Sequence, residues 1–584
     1  MTLALPRLTA AALCAAFALA PPLAAQETAT PQTEAAPEGP VNSGAYLAAR
    51  SAEAHGDFRT AAGWFDQSLQ ADPTNTALMD GSIFAHLNLG NLDTAAQLSA
   101  QLRDLDGKSD LADFALIAHD AQTENYEALI ERLRAGDSVG PLVDQLTLAW
   151  AEVGAGRMSE ALAHFDEMAR NRGFEAYALY HKALALALAG DFEGAEHILS
   201  GKAAGPINLN RRGVIALVQI LSQLERNDEA LALLDKAFGN DPEPQAEALR
   251  ARLRAGESIP FDTARSAREG IAEVFFTLAT LLNGESDPAL VLMNSRTALV
   301  LKPDHTEALL LTAATLEQLQ QYDLAVEVYA TLPADNPAYY SAELGRADAL
   351  YAAGRKDAAV EVLQSLVRSH GNLIGVQAAL ADMLRREDRW QEALSAYDAA
   401  LALAPQPARE HWLLFFSRGI CAERLGRFDA SDADFRRALE LNPGQPQVLN
   451  YLGYSLVERG RDLDEALKMI EQAVAAQPDA GYIIDSLAWA YFQLGRYQDA
   501  LAPMEKASLL EPVDPVVTDH LGDVYWMNGR QREAEFQWHR ALSFGPEEKD
   551  AVRIRKKLDQ GLEAVLAAEG TSKPPAVSSA ENGN

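Results

Sequence analysis

The chain has 584 residues, of which 48% are hydrophobic and only 7% aromatic, and its formal net charge is −33. A surface this acidic repels phosphate backbones and anionic lipid head groups, which argues against nucleic acid and bilayer surfaces as partners; the charge also serves the solubility of an elongated molecule. Apolar content made mostly of Ala and Leu suits closely packed helices and disfavours an all-β fold. The length predicts several domains unless the chain is a repeat array.

The first 25 residues have the pattern of an export signal. A short apolar segment, Leu8 to Ala20, precedes small residues that predict cleavage near Ala25 and Gln26. The apolar segment is too short to span a bilayer comfortably. Cys14 raises the alternative of a lipoprotein, but Leu13 stands where lipidation needs a small residue. We therefore expect an exported chain whose first segment is removed.

A spacing of 34 residues dominates the rest of the chain. It separates Pro478, Pro512 and Pro546, and it also separates Ala473, Ala507 and Ala541. Gly, small Ala, aromatic and Pro residues at fixed offsets in such a period are typical of a helix–turn–helix array. Gly495 and Gly529 tolerate the positive φ that ends a first helix, and Ala500 and Ala534 let the two helices of a unit approach closely. Paired antiparallel helices follow, stacked into a superhelix.

These residues resemble the tetratricopeptide repeat family, in about a dozen units between Val41 and Pro546. The resemblance implies an all-α solenoid wound as a right-handed superhelix. The phrases NYLGYSLVERG, YIIDSLAWAYFQLGRY and DHLGDVYWMNGR are similar to those of proteobacterial envelope tetratricopeptide proteins. That similarity implies a periplasmic scaffold or adaptor, with outer-membrane association as the alternative location. Some members of this group present substrates to a processing protease.

The pattern divides the chain into consecutive segments. We predict a signal peptide (1–25), a disordered linker (26–41), an N-terminal repeat array (42–244), an irregular connection (245–271), a C-terminal array (272–546), a capping helix (547–568) and a disordered tail (569–584). The connection marks a break between two superhelical halves. The capping helix is expected to cover the last exposed apolar surface of the array.

No catalytic motif accompanies the repeats. The sequence holds no HExxH, GxxxxGK[ST] or GxSxG, and its eleven His residues are scattered rather than paired at metal-binding spacing. Asp519, His520 and Asp523 share one helical turn, which leaves open a metal site or a hydrogen-bonded pair on the helix surface; we favour the pair. We therefore expect no enzymatic activity, no cofactor and no metal.

The first helix of each unit carries the residues best suited to binding. In the family that the chain resembles, this helix lines the concave face at about its second, fifth, ninth and twelfth positions. Aromatic rings stand beside Asn and Asp at these positions, and we predict a partner-binding groove made of Asn450, Tyr454, Tyr482, Asp485, Trp489, Phe492, Asp519, Asp523 and Trp526. Aromatic anchors with adjacent polar groups are typical of protein and peptide recognition. The alternative is that these rings pack between repeats.

The fifth position argues for a particular class of ligand. Family members that hold a terminal carboxylate place Lys and Arg in this groove, whereas here Asn450, Asp485 and Asp519 occupy the fifth position. A basic or backbone-reading ligand is therefore favoured.

The functional prediction is a periplasmic scaffold or adaptor that binds a protein or peptide partner in cell-envelope assembly or turnover. Presentation of substrates to an envelope protease is one form of this role. Two alternatives stay open. One is a structural subunit of a secretion or outer-membrane assembly complex that uses the convex faces. The other is an enzyme or carbohydrate-binding protein with the repeats as a frame.

Overall fold

The structure, a computed structural model, describes residues 43–171, 173–203, 208–239 and 244–570. Within these ranges the chain forms 31 α-helices, a short 3₁₀ helix at Arg409–His411 and no β-strand. The predicted all-α solenoid is thus confirmed. The predicted signal peptide (1–25), the predicted linker (26–41) and all but the first two residues of the predicted tail (569–584) lie outside the described residues.

Thirteen helices make up the N-terminal part of the chain. They are α1 (Ser43–Ala54), α2 (Phe58–Ala71), α3 (Thr76–Leu89), α4 (Leu92–Asp104), α5 (Asp110–Gln122), α6 (Tyr126–Ala135), α7 (Pro141–Gly154), α8 (Met158–Ala169), α9 (Glu175–Leu188), α10 (Phe192–Leu199), α11 (Arg211–Gln223), α12 (Asn227–Phe238) and α13 (Pro244–Arg254). Consecutive helices pack on each other through this part of the chain.

Eighteen further helices follow. The first eight are α14 (Ala267–Leu282), α15 (Pro288–Leu301), α16 (Thr306–Gln318), α17 (Tyr322–Tyr329), α18 (Tyr339–Ala352), α19 (Lys356–His370), α20 (Ile374–Arg386) and α21 (Trp390–Ala402). The last ten are α22 (Trp412–Arg424), α23 (Phe428–Leu441), α24 (Pro446–Glu458), α25 (Leu463–Ala476), α26 (Gly481–Gln493), α27 (Tyr497–Leu510), α28 (Pro515–Met527), α29 (Gln531–Ser543), α30 (Glu548–Gln560) and α31 (Leu562–Ala568).

The repeat residues act in the structure as their chemistry predicts. Gly495 and Gly529 have φ values of 72° and 76° in the turns that end α26 and α28, a conformation that favours glycine. Ala500 and Ala534, at the start of the following helices, are fully buried between paired helices. The last two units therefore form by local rules that the sequence displays.

Helices α14 and α15 depart from a simple continuation of the array. Helix α14 packs on α5, α7 and α9, and α15 packs on α3 and α5. The ring of Phe275 in α14 lies edge-on to that of Phe114 in α5, with 5.2 Å between their centroids. The N-terminal helices that α14 and α15 contact, α3, α5, α7 and α9, are the first helices of their units. The repeat pattern places such helices on the concave face. The concave face of the N-terminal units is therefore filled by a later part of the same chain.

A buried charge network fastens α14 to the N-terminal helices. Arg212 in α11 donates from Nε to both carboxylate oxygens of Glu273 in α14, at 2.9 and 2.7 Å, and from Nη1 to Glu307, at 2.8 Å. Burial alone would raise the pKa of Glu273, but Arg212 and His305 lower it well below its ordinary value. Glu273 is therefore an ionised, nearly inaccessible carboxylate whose charge depends on the cation beside it.

The predicted segment boundaries stay predictions, although helices now occupy two of the segments. The predicted connection, 245–271, contains nearly all of α13 and the first residues of α14, with an irregular stretch between them. The segment predicted as one capping helix, 547–568, forms two helices, α30 and α31, which meet at Gly561. A Cβ atom on Gly561 would lie 2.9 Å from the Trp526 ring, so the junction packs tightly on α28.

Candidate functional site

The predicted groove residues lie on three first helices, α24, α26 and α28. Helix α26 packs on both α24 and α28, so the three helices stand side by side. The predicted residues are thus brought together on neighbouring elements. Their accessibility differs, however, and it separates side chains that pack between units from side chains that face solvent.

Trp489 and Phe492 pack in the contact between α26 and α28. Trp489 is 5% exposed and stacks on Phe492 and on His520, with ring centroids 4.7 and 3.9 Å apart. Its Nε1 donates a hydrogen bond of 2.6 Å to Glu458. These rings therefore hold units together, and their accessible area for a partner is small.

Asp485 also faces a neighbouring unit. Its carboxylate lies 2.9 Å from Nδ1 of His520 in α28, and both side chains are buried. Burial lowers the pKa of His520, but Asp485, together with the charges of Asp519 and Asp523, more than offsets this, so the pKa is raised above its ordinary value of 6.5. The pair is accordingly an ionic contact between units while His520 is protonated.

Asp485→Asn is expected to destabilise the protein by about 1–3 kcal/mol near pH 6 and by less near pH 8. Because the folded-state pKa of His520 is raised, the stability that the ion pair contributes is fully present below pH 6.5. That stability is lost as the pH rises through the folded-state pKa. Urea unfolding of both proteins across this range measures the difference. A deficit that does not change with pH would show that the pair is not ionic.

Asp519 and Asp523 face helix α30. Lys557 places its Nζ 2.7 Å from Oδ2 of Asp519 and 2.6 Å from Oδ1 of Asp523, and Trp538 Nε1 donates to the same Asp523 oxygen at 2.9 Å. Burial and the charge of Asp523 raise the pKa of Asp519. The described part of the chain contains no group of three or more His, Cys, Asp and Glu residues arranged for a metal ion. The two carboxylates instead hold an ammonium group.

The solvent-facing side chains form a stripe along the second positions of the first helices. Tyr482 is the most exposed predicted residue, and the second positions of α22 and α28 are apolar as well, whereas that of α24 is the exposed Gln447. The exposed fractions are 49% for Leu413, 44% for Tyr482 and 44% for Val516. Trp526 and Tyr454 are partly exposed, and Asn450 is buried. Whether the predicted residues bind a partner stays a prediction; among them, solvent reaches Tyr482 and, in part, Tyr454 and Trp526.

Several carboxylates raise the pKa of Tyr454, and three of them lie outside the predicted groove. Burial raises the pKa of Tyr454, and nearby Glu458, Asp485, Glu423 and Asp550 raise it further. Glu423, Glu458 and Asp550 are not part of the predicted groove. The spacing of Glu458, four residues after Tyr454 and eight after Asn450, is the signal that could have found it, because such residues share a helix face. Asp550 comes from α30 and has no such signal.

Comparison with known proteins identifies the class. A tetratricopeptide repeat family model matches residues 377–544, and a second tetratricopeptide repeat model matches residues 146–205 and 310–373. Together these matches span half of the chain, which belongs to the tetratricopeptide repeat family. Arrays of this kind are protein-interaction scaffolds with extended concave surfaces.

Relatives resemble parts of the chain. Over 201 residues the chain is 29% identical to a TPR repeat-containing protein of Pseudomonas aeruginosa. The matched region covers 34% of this chain and 33% of the relative. A crystal structure of a tetratricopeptide repeat protein from Parabacteroides merdae covers 43% of this chain and 97% of its own, with 19% identity and a TM-score of 0.37. The match to a crystal structure of the APC/C hetero-tetramer Cut9–Hcn1 covers 89% of this chain and 96% of the matched chain, with 16% identity and a TM-score of 0.37.

The chain spans a third or less of the length of the curated relatives it matches. Among the helices of the described ranges, none combines the length and the apolar character that crossing a membrane requires.

Proposed function

We propose that this chain is a periplasmic scaffold or adaptor that binds a protein or peptide partner of the cell envelope on the concave face of its C-terminal units. The observation that supports this most is a contrast between two concave faces. Helices α14 and α15 cover the N-terminal first helices α3, α5, α7 and α9, whereas the C-terminal first helices α22, α26 and α28 keep Leu413, Tyr482 and Val516 exposed. A partner thus finds exposed apolar side chains on three C-terminal first helices, whereas on the N-terminal first helices the exposed large apolar side chains, Tyr46 and Leu47, are confined to α1.

The chemistry of the open face suits protein recognition. Binding hot spots commonly consist of exposed apolar side chains with polar neighbours. An aromatic ring such as Tyr482 offers a large contact area and loses little conformational entropy when it binds. Solvent-exposed apolar residues in three of the last four units also match an extended segment better than a compact small molecule, because they are spread over several helices.

The periplasmic location is supported by the sequence of residues 1–25. Their apolar segment and small residues before Gln26 have the pattern of a cleaved signal. Cell fractionation, together with the mass of the mature chain, tests this. We expect a periplasmic protein that begins at or near Gln26; an uncleaved cytoplasmic chain would contradict it.

Capture from periplasmic extract tests the binding face. The double variant Leu413→Ser with Tyr482→Ser is expected to weaken capture of a partner about tenfold or more, because two exposed anchors are removed. The matched control is Leu509→Ser with Phe536→Ser, since these side chains are 81% and 66% exposed on the second helices α27 and α29. Capture lost only in the control pair would contradict the concave face and favour an assembly subunit that uses the outer faces.

A further inference from the structure

Six successive C-terminal units carry an arginine in the turn between their two helices. Each arginine lies one or two residues before the second helix begins. They are Arg355, Arg389, Arg427, Arg461, Arg496 and Arg530. Since the same turn recurs from unit to unit, these side chains follow one edge of the array.

Carboxylates of this chain pair with five of the six arginines. In three units the acid stands three residues after the arginine, and in two units the preceding unit supplies it. The pairs and their N–O distances are Arg389–Glu392 (2.7 Å), Arg496–Asp499 (2.7 Å), Arg530–Glu533 (2.9 Å), Arg355–Asp323 (2.7 Å) and Arg461–Asp429 (3.5 Å). An arginine at this edge is therefore normally accompanied by a carboxylate.

Arg427 is the exception. The third residue after it is Ala430, and its guanidinium group donates instead to the neutral side-chain oxygen of Gln391. It forms no ion pair with any residue that the structure describes. The side chain is exposed, so a carboxylate from outside the chain can reach it.

A cavity of about 420 Å³ opens beside Arg427. Its wall also includes Phe428 and Ala430 of α23 and two arginines from the turn after α24, Arg459 and Arg461. Ala430 stands where three other units carry their acid, so the cavity lies within reach of the place that such a carboxylate would take. Phe428 is 40% exposed, which gives the cavity an apolar wall that solvent reaches.

The charged groups of the cavity wall leave one positive charge unbalanced. Arg459 donates from Nη2 to Asp432 at 2.6 Å, and its guanidinium carbon lies 4.9 Å from the centroid of the Phe428 ring. Arg461 lies 3.5 Å from Asp429. Two aspartates therefore offset two of the three arginines, and the N-terminus of α23, which no side chain caps, adds partial positive charge.

We infer that this cavity binds a carboxylate, supplied by a glutamate or aspartate side chain of a protein that docks at the edge of the array. Arg427 offers the planar pair of donors that a carboxylate accepts. One negative charge balances the excess of the wall, whereas a dianionic phosphate would overbalance it in a chain whose net charge is already −33. The inference goes beyond the proposed function, because the site lies in the turns of two units and not among the residues of the concave face.

Matched peptides test the carboxylate preference. The probes are acetyl-Gly-Ser-Gly-Xaa-Gly-Ser-Gly-amide, in which the blocked termini leave Xaa as the only charge, and Xaa is glutamate, glutamine or phosphoserine. Saturation-transfer NMR with the full chain at low salt is expected to give the glutamate peptide a Kd of about 10 mM or below, with glutamine at least about fivefold weaker and phosphoserine no tighter than glutamate. Equal binding of glutamate and glutamine, tighter binding of phosphoserine, or no binding up to about 20 mM would overturn the inference.

Arg427→Gln is expected to reduce the preference for glutamate over glutamine to about twofold or less, because the unpaired guanidinium group is lost. The control is Arg355→Gln, which makes the same change of charge at an arginine of the same edge that Asp323 already holds at 2.7 Å. Its preference should equal that of the wild type. A preference that falls equally in both variants would mean that long-range charge, and not this cavity, selects the carboxylate. Circular dichroism melting checks that both variants fold.

Ala430→Glu supplies the missing carboxylate from within the chain. The new side chain is expected to pair with Arg427 as Glu392 pairs with Arg389, so the glutamate peptide should bind at least about fivefold more weakly. The control Ala475→Glu adds the same charge at an exposed position near the far end of α25 and should leave binding unchanged. Full binding by the Ala430→Glu protein would place the peptide elsewhere and contradict the assignment.

Discussion

Gly270→Val is expected to destabilise the protein by about 3 kcal/mol or more, the upper end of the cost of overpacking a core. Gly270 in α14 lies against Trp150 in α7, and even a Cβ atom at this position would come within 2.3 Å of the indole ring. Both residues belong to the buried region where α14 crosses the N-terminal units. The larger side chain fits only if α14 moves away from α7.

Guanidinium unfolding and hydrogen exchange measure this effect. In the variant, the amides of α14 should lose protection from exchange together with those of α7. The matched control is Gly63→Ala, because a Cβ at Gly63 meets nothing within 4 Å and the substitution should stabilise helix α2 by about 0.5–1 kcal/mol. A Gly270→Val protein as stable as the wild type would show that α14 does not pack on Trp150.

Arg212→Met is expected to cost about 3–5 kcal/mol at pH 7, because it leaves the buried carboxylate of Glu273 without its cation. The variant's deficit should shrink as the pH falls toward about 5. In the wild type the folded-state pKa of Glu273 is depressed. The stability that ionised Glu273 contributes is therefore present above its unfolded-state pKa, and it is lost only as the pH falls through the folded-state pKa. Without Arg212, burial raises that pKa, and protonation then relieves the cost.

The double variant Arg212→Met with Glu273→Leu separates the ion pair from the packing. Replacing a buried pair by apolar residues of similar size is often neutral, so most of the lost stability should return. Urea unfolding of the wild type, both single variants and the double variant gives the coupling energy between the two side chains. Additive losses would mean that Arg212 and Glu273 do not interact in the folded protein.

The repeat architecture was predictable because its signals are local. Gly495 permits a turn of positive φ, Ala500 permits close helix packing, and both act within one unit, so their spacing alone identifies paired helices. The position of α14 was not predictable on those grounds. Its contacts depend on Gly270 meeting Trp150 and on Arg212 meeting Glu273, pairs that are far apart in the sequence and carry no periodic signal.

The candidate site was predictable in part for a related reason. Repeat position predicts which helix carries Trp489, Asp519 and Tyr482, but accessibility depends on what the next helix presents. His520 covers Trp489, and Lys557 from a helix beyond the last repeat covers Asp519, whereas Tyr482 stays 44% exposed. The environment of Tyr454 likewise draws on four helices, and only their stacking brings those carboxylates together.

The most direct test of the account is photo-crosslinking in cells, with the crosslinker in place of Tyr482 in one strain and in place of Trp64 in another. Both side chains are comparably exposed, at 44% and 38%, but one lies on the open concave stripe and the other on α2 of the N-terminal units. The account predicts a covalent adduct with a second protein from position 482 and none from position 64. Adducts from position 64 alone would contradict it.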